Sequence, residues 1–63
     1  MTARRALDEV IYEFVRVGAY VKVTAVDPAT GVETSIVGSP RAGERALKET
    51  ALRKLLYVLN RSP

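Results

Sequence analysis

At 63 residues, with neither a cysteine nor a histidine, the chain has room for one domain, and disulfides, thiolate zinc sites, thiol nucleophiles and imidazole bases are excluded. Hydrophobic residues at 48% and charged residues at 27% are a globular balance, not a disordered one. The net charge of +3 gathers late in the chain: residues 1–40 hold four Lys/Arg against five Asp/Glu, and residues 41–63 hold six against two.

The N-terminal segment supports two readings. Leu7, Val10, Ile11, Phe14 and Val15 fit helical spacing, and Asp8-Glu9 would suit a first helical turn. Against this, Val10, Ile11, Tyr12, Phe14, Val15 and Val17 are all β-formers. The expectation adopted is a strand over Val10–Val17, with any helix confined to Thr2–Glu9. Gly18-Ala19 then suits a type II′ turn, with glycine at the first central position. That turn would set Val17 opposite Tyr20 and Phe14 opposite Val23.

Asp27-Pro28-Ala29-Thr30-Gly31 is the clearest turn signal: proline presets φ at the first position and glycine supplies the left-handed residue that closes the loop. Its flanks, Tyr20–Val26 and Val32–Val37, are rich in β-branched residues and read as strands. With Pro28–Gly31 as the loop, Asp27 faces Val32, Ala25 faces Thr34 and Val23 faces Ile36. Ser39-Pro40 reads as an N-cap followed by a first-turn proline, with Gly43 blurring where the helix starts. Leu47, Ala51, Leu55, Val58 and Leu59 then recur at helical spacing, widened by Leu52 and Leu56. Glu44–Lys48 and Glu49–Arg53 are favourable i,i+4 pairs. The predicted fold is α+β: a three-stranded antiparallel meander followed by one C-terminal helix packed on one sheet face, all within a single domain over residues 1–63.

These turns also predict the two sheet faces. Val10, Tyr12, Phe14, Val21, Val23, Ala25 and Ile36 form an apolar face for the helix. The opposite face carries Glu13, Lys22, Thr24, Glu33 and Ser35 among Ile11, Val15, Val17, Tyr20, Val26 and Val37. Those last six are more apolar surface than open solvent favours, so they are the candidate dimer surface. So short a chain also buries little core on its own. A homodimer is therefore expected, with an element exchanged at Gly18 or Gly38 as one form of it. The plainer alternative is that strands are simply valine-rich and residues 1–9 cover part of this face.

Chemistry-bearing groups are sparse. Arg53, Lys54, Tyr57 and Arg61 share a helix face, with cations for phosphate and a ring for stacking, which makes them a candidate nucleic-acid or anion surface. The preferred explanation is a solvated charged face, with Tyr57 packed at a subunit edge and the Lys/Arg stems covering apolar surface. Glu13 and Glu33 near Lys22 read as a cross-strand ion pair, and Asp8-Glu9 lie too near the terminus to shape a pocket. Gly18, Gly31, Gly38 and Gly43 are too scattered for a phosphate loop. Gly38-Ser39-Pro40 with Arg41 is a capped connection before it is an anion site. No catalytic, cofactor-binding or metal site is expected. No apolar run approaches the roughly 20 residues that span a bilayer. Asp8 and Glu9 follow Arg4 and Arg5 before any signal-peptide core develops. The expected compartment is the cytoplasm, with no membrane partner.

Taken together, Glu13-Phe14-Val15-Arg16-Val17-Gly18, Tyr20-Val21-Lys22-Val23, Val26-Asp27-Pro28-Ala29-Thr30-Gly31, Ser35-Ile36-Val37-Gly38 and Leu52-Arg53-Lys54-Leu55 with Tyr57-Val58-Leu59 resemble a family of short, uncharacterised bacterial proteins. The resemblance covers nearly the whole chain. It implies a stand-alone bacterial protein and carries over no functional residue. Two functions fit the sequence: a non-enzymatic dimeric module that binds another protein or regulates it, and a nucleic-acid-binding accessory protein that uses the basic helix.

Overall fold

The structure is a computed structural model that describes residues 9–61. Three strands, β1 (Ile11–Val17), β2 (Tyr20–Val26) and β3 (Glu33–Gly38), form an antiparallel sheet in the order β1-β2-β3. A 3₁₀ turn (Pro40–Ala42) leads into one helix, α1 (Glu44–Asn60). The helical alternative for Leu7–Val15 is thereby decided from Ile11 onward, where the chain is extended. The β-branched and aromatic run prevails because it pairs with β2 along its whole length. The helix expected over Thr2–Glu9 falls, but for Glu9, outside the described residues.

Both turns set the register their residues imply. Gly18 has φ +59° while Ala19 has no positive φ, the signature of a type II′ turn. Val17 therefore stands opposite Tyr20 and Phe14 opposite Val23. Across the second hairpin, Val23 faces Ile36 and Ala25 faces Thr34. The Asp27 N–H donates to the Val32 carbonyl at 2.9 Å and the Asp27 carbonyl accepts from Gly31 N–H at 2.8 Å. Asp27 does more than open this loop. It is only 2% exposed, and its carboxylate accepts from Ala29 N–H at 3.2 Å and from the Thr30 hydroxyl at 3.0 Å. The Thr30 oxygen in turn accepts from Val32 N–H at 3.2 Å, so the loop's donors are held from within.

The start of α1 departs from expectation. Ser39 does accept from Arg41 N–H, at 3.1 Å, but it caps the 3₁₀ turn and not the helix. Gly43, at φ +90°, breaks the two apart, and α1 begins afresh at Glu44. Only glycine enters that backbone region at low cost. Of the two expected i,i+4 pairs, Glu44–Lys48 closes at 3.7 Å; Glu49–Arg53 makes no such bridge. Lys22 is not paired with Glu13 or Glu33 either. The register sets it between Val15 and Val37, and sets Glu13 beside Thr24.

Val23, Ala25, Leu47, Ala51 and Leu55 are the buried core, with Val10, Tyr12, Val21, Val32, Ile36 and Leu59 packed around it. The helix uses its predicted stripe, but it lies across β2 and β3. Phe14, expected beneath it, is left 37% exposed on β1. Helix and sheet pack tightly at Gly38, where an added Cβ would stand 2.5 Å from Leu47 Cδ2. Gly38→Ala must displace the Leu47 side-chain tip, which is seated in the core. A loss on the order of 1–3 kcal/mol is expected, measured as a lower urea midpoint with unchanged slope.

Candidate interaction surfaces

The alternation of the strands sorts the six candidate dimer residues onto the face away from α1, in rows that the register makes explicit. Ile11, Val26 and Glu33 form one row, and Glu13, Thr24 and Ser35 the next. Val15, Lys22 and Val37 form a third, and Val17 with Tyr20 a fourth. The second row is polar, and its Thr24 and Ser35 hydroxyls hydrogen-bond to each other at 2.9 Å. The others are mainly apolar and open: Ile11 is 53% exposed, Val15 47%, Val17 40%, Tyr20 46% and Val37 59%. Val26 is half-buried. All six share the face, but Glu13, Thr24 and Ser35 separate Ile11 and Val26 from the rest.

The helix presents two different flanks. Lys48 Nζ lies 5.3 Å from the centre of the Tyr12 ring, so one flank overlooks β1. Leu52 and Leu56 follow Lys48 at four-residue steps and continue that flank. With Glu49 and Arg53 they line an open groove of about 240 Å³, and Leu56 is 38% exposed. The opposite flank overlooks β3, where Lys54 Nζ donates to the Ser35 carbonyl at 2.9 Å.

The four residues of the basic surface are divided by this arrangement. Tyr57 is 65% exposed, and the Arg61 guanidinium already lies over its ring at 5.6 Å. Lys54 is held by β3, and Arg53 lines the leucine groove instead. What the sequence reading missed is the use of Lys54. Its signal lay in the parity of the strands, which leaves the Ser35 carbonyl pointing off the edge of β3. Among the described residues no group of three or more carboxylates is placed to hold a metal ion, and no helix is long and apolar enough to cross a membrane.

A meander of three strands closed by one helix, with apolar surface left exposed on both layers, defines a small α+β domain. Residues 7–62 match the model of DUF6898, a domain of unknown function, and the chain belongs to that family. This accords with the resemblance to an uncharacterised family. No curated protein matches the chain, and no solved structure does.

Partial burial against the core pushes the Tyr12 phenol above its ordinary pKa. The folded chain then holds that proton more tightly than the unfolded chain does. The associated stability is intact below the ordinary tyrosine range, near pH 10, and is lost as the pH climbs through it. Denaturation midpoints taken from neutral to alkaline pH are expected to fall more steeply for the native chain than for Tyr12→Phe. Parallel curves would contradict this.

Proposed function

We propose that this chain is a non-enzymatic interaction module that works as a homodimer and presents an extended apolar sheet surface to a protein partner. The observation that carries the reading is the open face of Ile11, Val15, Val17, Tyr20 and Val37, each at least 40% exposed, beside a core of five buried hydrophobic residues among those described. Apolar surface of that kind marks contact with other proteins more often than with water. The lack of any histidine or cysteine argues against the usual acid–base and nucleophilic chemistries. A cytoplasmic setting goes with this reading, supported by the absence of cysteine.

Light scattering on the purified chain at micromolar concentration tests the dimer. A mass twice the 6.9 kDa of one chain is expected, and a mass of one chain would sink the reading. Val15→Lys with Val37→Lys, on either side of Lys22, is expected to leave the fold intact while abolishing binding of an apolar dye to this face.

The nucleic-acid reading is weaker. Two of its three cations, Lys54 and Arg61, already have partners within the chain. Anisotropy of labelled single- and double-stranded RNA and DNA is expected to stay flat at low salt. Micromolar binding that weakens steeply with salt and vanishes in Arg53→Ala/Tyr57→Ala would instead favour it.

A further inference from the structure

The two edges of this sheet are treated differently. In an antiparallel ladder alternate residues turn their N–H and C=O toward the partner strand, and the others turn them away. The two-residue turn makes Val17–Tyr20 a hydrogen-bonded pair, so Ile11, Glu13, Val15 and Val17 bond to β2. Tyr12, Phe14 and Arg16 therefore point their backbone groups off the open side of β1. On β3 the same parity exposes Glu33, Ser35 and Val37, and there Lys54 Nζ occupies the Ser35 carbonyl. Among the described residues nothing comparable guards β1. A seven-residue edge strand with four apolar side chains, whose outward amides meet no partner among the described residues, is a template for another strand.

We infer that β1 pairs antiparallel with β1 of a second copy about a two-fold axis through Phe14, making one continuous six-stranded sheet. This rests on the homodimer reading above and gives that dimer its geometry. Phe14 is the middle residue of Ile11–Val17, so this register overlaps the two strands completely. It matches outward amides with outward amides: Phe14 with the second copy's Phe14, and Tyr12 with the second copy's Arg16. A shift to centre on Glu13 would stack two carboxylates, which opposes it. In the Phe14 register each Glu13 lies beside a valine and each Ile11 beside Val17 of the other copy. Each Arg16 meets a tyrosine ring, a favourable cation–π pairing.

The pairing also uses the apolar surface that one helix leaves uncovered. A two-fold axis perpendicular to the sheet keeps both helices on the same side. The flank carrying Leu52 and Leu56 overlooks β1, as the Lys48–Tyr12 contact shows. The two leucine flanks therefore face each other across a floor of paired Phe14 rings. On the far side the two apolar surfaces merge into one.

Amide hydrogen exchange on the native chain, read residue by residue at concentrations above and below dissociation and alongside light scattering, tests the geometry. A two-chain mass is expected, with the Tyr12, Phe14 and Arg16 amides slowed on the order of a hundredfold only in the dimer. Phe14→Pro removes an outward N–H that β2 does not use, and edge strands tolerate proline at such positions. It is expected to give a one-chain mass with the β2 amides still protected. A two-chain mass with fast exchange at Tyr12, Phe14 and Arg16 overturns the edge pairing and leaves self-association to another surface. A one-chain mass for the native chain overturns both. Should Phe14→Pro unfold, the exchange pattern of the native chain still decides between these outcomes.

Discussion

Two residues between strands, Gly18 and Ala19, leave Val17 opposite Tyr20, and that one pairing commits the other six between β1 and β2. Because side chains alternate with period two, the same commitment decides which residues meet the helix and which backbone groups find a partner. A loop one residue longer would shift the register by one and turn Val10, Tyr12 and Phe14 away from α1. Gly18 is suited to the task because its φ of +59° has little steric cost without a side chain. The second hairpin applies the same logic with more material, holding its four-residue loop on the buried carboxylate of Asp27.

Width is the second constraint. A helix with its side chains is about 10 Å across, and strands lie roughly 4.8 Å apart. One helix can therefore cover two strands well or three strands poorly. Here Leu47 seats against Gly38 and Lys54 reaches β3, which draws α1 over β2 and β3. The result, among the described residues, is an edge strand whose helix-facing Phe14 is 37% exposed and a helix flank whose Leu56 is 38% exposed. Both come from the same mismatch between three strands and one helix.

Local signals carried much of this architecture. The glycine and proline turns gave the register pair by pair, and the leucine spacing gave the helix stripe, because both are set by residues close in sequence. Boundaries at α1 were less legible: Ser39 caps a 3₁₀ turn with the same chemistry it would use on a helix, and nothing local distinguishes the two. The lateral position of α1 was not legible at all, since it depends on where Leu47 finds a glycine nine residues earlier. For the same reason the basic surface looked coherent on a helical wheel but is divided by its neighbours. Lys54 belongs to β3, Arg53 to the leucine groove, and Tyr57 to Arg61.

The Lys54 contact bears on how large an assembly built from this sheet becomes. Strand addition is open-ended in principle: each new edge invites another, and chains with two bare edges grow into ribbons. A single ammonium bonded to one carbonyl makes the two ends of this sheet unequal. In the β1 pairing inferred above, each copy would show the outside only its β3 edge, where Lys54 holds the Ser35 carbonyl. In the pair inferred above, stoichiometry would follow from that asymmetry, with Lys54 holding one carbonyl of each outer edge.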